Sequence, residues 1–132
     1  MKLCYQAHAG QLDKSGIPYV FHPIHLAEQM NDEITIIVAL LHDVVEDTSY
    51  TIDDLASMGF PEDAIRAIAL MTHSRGVDYM DYVKRIRNNP IARIVKLADL
   101  RHNSDLCRLD TVDSRAMARV EKYARAIQLL EE

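Results

Sequence analysis

The sequence predicts an all-α fold, and three observations carry that expectation. Apolar residues recur at helical spacing in several segments, glycines and prolines fall mostly between those segments, and no stretch alternates convincingly as a strand. Lys2 to Ala9 reads as a short first helix stopped by Gly10. Residues 11–22, QLDKSGIPYVFH, read as an irregular loop with a Ser-Gly and an Ile-Pro step. Pro23 then suits the first turn of a helix carrying Ile24, Leu26, Ala27 and Met30, with His22 just before it.

Residues 33–46 are the ambiguous segment. Ile34, Ile36, Ile37 and Val38 favour a strand, whereas Ala39, Leu40 and Leu41 favour a helix. The apolar run exceeds a typical buried strand, so the expectation is one central helix, apolar all round and enclosed by the others. Thr51 caps residues 52–58 and Gly59 ends them. Pro61 opens a helix with Ile65, Ile68 and Ala69 on one face, Asp78 to Asn88 forms another, and Pro90 starts IARIVKLADLRHN with Ile91, Val95 and Ala98 inward. Met117, Val120, Ala124 and Ile127 mark a final amphipathic helix.

At 132 residues the chain has the length of one domain, and nothing in it reads as a linker or repeat, so residues 1–132 are expected to form a single domain. Hydrophobic residues make up 48% and charged residues 27%, which is ordinary for a soluble globule. No apolar run is long enough to span a bilayer, and the first residues lack a signal-peptide core. Cys4 and Cys107 fit neither a disulfide scaffold nor a CxxC metal site and read as free thiols of a cytoplasmic protein, with one disulfide between them left open. The formal charge of −5 argues against broad nucleic-acid binding but not against a small phosphorylated substrate.

Three groups of residues could carry chemistry. His42-Asp43 and Glu46-Asp47 finish the most hydrophobic segment, each pair one helical turn from the other. A carboxylate buried there unpaired would be expensive, and a bound cation removes that cost. A polar helix end facing water is the plainer alternative, and this cluster alone does not choose between them. Asp99 lies one turn from Val95 and from Asn103, close to an apolar face, where it needs a metal or a basic partner such as arginine or His102. His22 sits at a rigid junction before Pro23, and His8 and His25 are further imidazoles. Imidazole with carboxylate suits iron(II), manganese(II) or zinc(II). Lys14-Ser15-Gly16 could grip a phosphate, although it matches no P-loop and a surface turn is its default reading. Lys96, Arg93, Arg101 and Arg108 are further possible anion contacts, most of them expected on solvated surface.

Taken in order, AHAGQLDKSGIPYVFHP, ALLHDVVEDT and VKLADLRHN resemble the HD superfamily of metal-dependent phosphohydrolases. More narrowly, they look like the hydrolase domain of RelA/SpoT-type enzymes and their small stand-alone relatives. The resemblance implies a compact HD-type helical bundle with one divalent metal, manganese before iron or zinc, held by His22, His42, Asp43 and Asp99. It also implies that Glu46 and Asp47 orient and activate water, and that Lys14, Ser15 and Asn103 lie on the nucleotide side. The implied reaction releases pyrophosphate from guanosine tetra- or pentaphosphate. One departure stands out: Asp13 occupies a position where the family commonly has an arginine packed on guanine, which removes a stacking partner and adds repulsion toward phosphate. The segment 73–89 is also compact beside the family's. Two other readings therefore stand beside the first: an HD-type phosphatase or nucleotidase for another nucleotide or phosphorylated metabolite, and a non-enzymatic helical interaction module.

Overall fold

A computed structural model describes residues 1–105, 109 and 111–132. Those residues form an all-α bundle of nine helices: α1 (Lys2–Ala7), α2 (Phe21–Glu28), α3 (Glu33–Leu41), α4 (Val44–Asp47), α5 (Ile52–Ser57), α6 (Glu62–Met71), α7 (Tyr79–Arg87), α8 (Pro90–Asn103) and α9 (Ser114–Glu131). The nearest approach to a strand among them is an isolated bridge between Leu12 and Pro18 inside the first loop. No described helix is long and apolar enough to cross a membrane.

The ambiguous apolar segment is helical because its start is capped and its side chains are buried on several sides. The Asp32 side chain accepts from the Thr35 amide at 2.8 Å, an N-cap that contributes about 1 kcal/mol and offsets part of the helix penalty of the β-branched residues. Thr35, Val38, Ala39, Leu40 and Leu41 are all buried, and α3 packs against α2, α6 and α8. Burial of a side chain such as Val38 or Leu26 stabilises the fold by about 2 kcal/mol, so packing rather than propensity decides the segment. The expected single helix over 33–46 is instead two. It ends at Leu41, His42 and Asp43 form a turn, and α4 restarts at Val44. Backbone bonds from Asp47 to Asp43 and from Thr48 to Val44 keep the chain winding, so His42 and Glu46 remain close to one turn apart.

Other boundaries follow recognisable local chemistry. Thr51 and Asp54 form a reciprocal capping box for α5, and Asn89 caps α8, whose first residue is Pro90. α2 begins at Phe21, so His22 lies within the first helical turn, not before it. α1 ends at Ala7, ahead of Gly10, which carries the positive φ that closes the turn. Two apolar faces sit differently from expectation. Ala69 is exposed while Ala64, Ala67, Ile68 and Met71 are buried, and α9 buries Ala116, Ala126 and Leu130 while Met117 and Ala124 face outward. α9 lies on α7 and α8, which turns its Arg119 and Tyr123 toward the loop after α1.

Candidate metal centre and adjoining cavity

Helices α2, α3 and α8 each bring one element of the cluster to a common point. His22 comes from the first turn of α2, His42 and Asp43 from the turn after α3, and Asp99 from the middle of α8. One ligand atom from each lies within 4.8 Å of every other, a spacing that could hold a metal ion. His22, His42 and Asp99 are buried.

The atoms leave a specific electrostatic problem. His42 Nδ1 donates to the Ala39 carbonyl at 2.7 Å, so the neutral ring directs the Nε2 lone pair inward. That nitrogen meets Asp43 Oδ2 at 3.0 Å and Asp99 Oδ1 at 3.5 Å and makes no geometrically sound hydrogen bond. Burial alone would lower the His42 pKa, but the two carboxylates overcome it and hold the ring's affinity for a positive charge well above ordinary. A proton satisfies that demand partly; a divalent cation, with two imidazole nitrogens and two carboxylates around it, satisfies all four groups. The residues present therefore fit such an ion.

Surrounding side chains aim the cluster. Lys96 Nζ reaches Asp99 Oδ2 at 2.9 Å, and Asn103 Nδ2 donates to Asp99 Oδ1 at 3.1 Å. The Asp99 carboxyl would rise through burial, yet Lys96, His22 and His42 together hold it well below the usual carboxylate range. Lys96, expected as an anion contact or solvated surface, is largely buried instead, and it is the basic partner Asp99 needs, a lysine in place of an arginine. Tyr19 donates its hydroxyl to Asp43 Oδ2, and burial first, then Asp43, push that phenol far above its ordinary range. His22 Nε2 lies 2.8 Å from Asp99 Oδ1, while its Nδ1 meets His102 Nδ1 at 2.6 Å with the rings 5° from parallel. With Nδ1–H donated to His102, the His22 Nε2 lone pair is available inside. His25 packs against His102 at 4.3 Å between ring centroids.

Glu46 and Asp47 occupy α4, one turn beyond the cluster. Burial, and then the Asp43 charge, raise both carboxyls above their ordinary values. Raised carboxyls beside a candidate metal are chemically suited to exchanging a proton with water. Gln11 fixes this region from the other side: it bonds His8 Nδ1 at 2.8 Å and donates to the Asp47 carbonyl at 3.1 Å.

Beside the cluster opens a cavity of about 320 Å³, lined by Lys14, Ser15, Tyr19, Asn103, Arg119 and Tyr123, among others. Tyr19 and Asn103 belong to both, since each bonds a carboxylate of the cluster. Asp13 also borders the cavity, but its Oδ1 accepts from the Ser15 amide at 2.9 Å and the Ile17 amide at 3.0 Å. The carboxylate organises the loop that displays Lys14. Arg101 is tied to Glu131 at 2.6 Å on the surface, and Arg108 and Cys107 lie outside the described residues. Arg119 and Tyr123 carry no local motif; only the packing of α9 brings them here.

No family model matches the chain. A probable GTP pyrophosphokinase of Mycobacterium leprae is 34% identical over 110 residues, which cover 74% of this chain and 14% of that protein. A GTP pyrophosphokinase of Streptomyces coelicolor is 32% identical over 139 aligned positions, covering 89% of this chain and 16% of that protein. The bifunctional (p)ppGpp synthase/hydrolase SpoT of Escherichia coli is 46% identical over 56 residues, 39% of this chain and 8% of its own. The chain thus spans less than a fifth of the length of these curated relatives. A solved structure described as a metazoan ortholog of SpoT that hydrolyses ppGpp has a TM-score of 0.80, covering 98% of this chain and 82% of that one at 23% identity. That likeness is one of fold.

Proposed function

We propose that this chain, which resembles the RelA/SpoT hydrolase domain of the HD superfamily in sequence and in fold, is a metal-dependent phosphohydrolase that releases pyrophosphate from the 3′ position of guanosine tetra- or pentaphosphate. The reading takes residues 1–132 as one hydrolase unit of the cytoplasm, with His22, His42, Asp43 and Asp99 as metal ligands and manganese as the ion. The observation that carries it is the junction between a four-residue His/Asp cluster and a cation-bearing cavity, through Tyr19 and Asn103.

His22, His42, Asp43 and Asp99 would hold a divalent ion, which would supply positive charge to a phosphoryl group and make a nearby water more acidic. Glu46 or Asp47, with carboxyls already raised, accepts a proton from the attacking water. The water oxygen bonds to the phosphorus that carries the ribose 3′-oxygen, the bond between those two atoms breaks, and the ribose oxygen takes up a proton. The products are guanosine 5′-diphosphate, or the 5′-triphosphate from the pentaphosphate, and free pyrophosphate. Lys14, Ser15 and Asn103 position the nucleotide along the cavity wall.

A second reading has a specific observation behind it. Asp13 is built into the loop where the resembled enzymes commonly carry a base-stacking arginine, which favours another phosphorylated nucleotide or metabolite as substrate. A metal-supplemented turnover screen with products identified by mass separates the two. Pyrophosphate release from guanosine tetraphosphate, well above other nucleotides and phosphorylated dinucleotides, supports the first. Monophosphate release from another compound, with guanosine tetraphosphate untouched, replaces it with the second. Metal bound with no turnover of any compound would leave only an interaction module.

A further inference from the structure

We infer that Tyr79 of α7 is a further catalytic residue, whose hydroxyl donates to the ribose 3′-oxygen and gives it a proton as its bond to phosphorus breaks. The inference rests on the phosphohydrolase reading and fills the one proton transfer for which that reading names no donor.

The Tyr79 ring is packed where three parts of the site meet. Between centroids it lies 5.9 Å from His73, 5.7 Å from Tyr82 and 6.5 Å from Tyr123, and the Lys122 ammonium sits 4.5 Å over its face. The His73 backbone reaches the Glu46 carboxylate as a hydrogen-bond donor. Tyr82 lies under the Lys96 ammonium that holds Asp99, and Tyr123 borders the cavity. Glu46, the metal cluster and the cavity thus converge on one tyrosine.

The hydroxyl itself is buried and has no hydrogen-bond partner among the described residues, a condition it shares with His42 Nε2. For the histidine nitrogen, the fit of the cluster to a metal ion accounts for it. For the hydroxyl, a buried donor left unmade typically costs about 1–3 kcal/mol, and a substrate oxygen relieves that cost. The other donors near Asp99 and Glu46 are poorly suited to release a proton. Tyr19 is committed to Asp43, Asn103 is an amide, and Lys96 would leave Asp99 unpaired by losing one. Burial pushes the Tyr79 phenol up to about 12 against the opposing Lys96 charge, so it carries its proton at any working pH. When the bond between phosphorus and the ribose oxygen breaks, that oxygen keeps the electron pair and takes the Tyr79 proton. Glu46, once it holds the proton of the attacking water, returns it to the phenolate, and both groups are restored. The half-buried Tyr123 ring is the neighbour that turns aside to open the hydroxyl to the cavity.

Tyr79→Phe removes the hydroxyl and nothing else. With guanosine tetraphosphate, kcat is expected to fall about 10²-fold with KM little changed. Manganese content should stay at the wild-type level, and the urea midpoint should equal or exceed wild type, because the lost hydroxyl had no partner. The comparison is then repeated with an analogue carrying sulfur in place of the bridging 3′-oxygen. A thiolate leaves without needing a proton, so the defect should shrink at least about tenfold. Full kcat with the oxygen compound, or an equal defect with both compounds, overturns the assignment and leaves the hydrolase reading standing. A fall in kcat matched by lost manganese or a lower urea midpoint makes the role of Tyr79 structural and overturns the assignment too. If wild type cleaves neither compound, the hydrolase reading itself fails, and the role of Tyr79 fails with it.

Discussion

Lys96 Nζ holds one oxygen of Asp99 at 2.9 Å, and the other oxygen is thereby turned toward His22, His42 and Asn103. The lysine does two jobs from one turn below on the same helix. It keeps a buried carboxyl ionised, and it fixes the rotamer that presents a single oxygen to the cluster. Its own charge is sustained by Asp99 against heavy desolvation and lies 5.4 Å from the Tyr82 ring centroid.

Lys96→Met should therefore leave Asp99 as an uncompensated buried anion. Breaking such a pair by removing one member typically costs about 3–5 kcal/mol, so the metal-free variant is expected to unfold at clearly lower denaturant. Saturating manganese should recover part of the loss, because the ion supplies the missing positive charge. Urea denaturation with and without metal measures both. A variant as stable as wild type without metal would show that Asp99 is neutral in the native protein.

Asp43→Asn and Glu46→Gln should fail in different ways. In Asp43→Asn the new amide can still accept the Tyr19 hydroxyl, but it offers a cation a neutral oxygen, so both metal occupancy and turnover should fall. Glu46→Gln leaves all four cluster residues in place and removes a proton acceptor, so occupancy should hold while turnover drops about 10²-fold or more. Metal content and initial rates measured in parallel separate them. Full turnover in Glu46→Gln at saturating metal would shift the acid–base role to Asp47.

Much of this architecture was legible because it is local. Thr51, read as a cap, accepts from a backbone amide at the start of its helix, and Asp32, Asp78 and Asn89, not read as caps, do the same over two or three residues of sequence. The His42-Asp43 and Glu46-Asp47 pairs could be read for the same reason, since one helical turn brings them together. What could not be read was set by packing. The break after Leu41 depends on where α3 ends against its neighbours. Lys96 reads as solvated surface because a lysine beside an apolar stripe usually carries its ammonium to water, although its i,i+3 spacing from Asp99 is a signal that could have found the pair. Arg119 and Tyr123 reach the cavity only through the docking of α9 on α7 and α8, a relation between distant segments that no motif encodes.

Cys4 should be chemically inert in the folded protein. It is a free thiol with no exposed surface, and burial pushes its pKa up to about 11, the nearby N-terminal charge offsetting only part of that. At pH 8 only about one thiol in a thousand would be ionised, and access is closed as well. In a Cys107→Ser background, reaction with a disulfide reagent at pH 8 should be at least about 100-fold slower in native protein than in urea. Comparable rates would mean that α1 opens readily from the bundle.

Asp13 offers a separation of structure from charge. Its Oδ1 accepts two amides, from Ser15 and Ile17, and holds the turn in which Gly16 adopts φ +79°. Asparagine retains that oxygen and loses the charge; alanine loses both. Asp13→Ala should cost about 1–2 kcal/mol of loop stability through two lost hydrogen bonds, and it should weaken nucleotide binding by releasing Lys14 from its position. Asp13→Asn should keep the loop and bind anionic nucleotides more tightly than wild type, by a factor that shrinks as salt rises. Asp13→Arg restores a cation but breaks the turn, so its gain in guanine-nucleotide affinity should be smaller than the charge reversal alone would give. Titrations of guanosine 5′-diphosphate at two ionic strengths, with hydrogen exchange across residues 11–20, measure both effects. If Asp13→Asn bound no better than wild type at low salt, the carboxylate would be screened from the cavity, and its place in the loop would be structural alone.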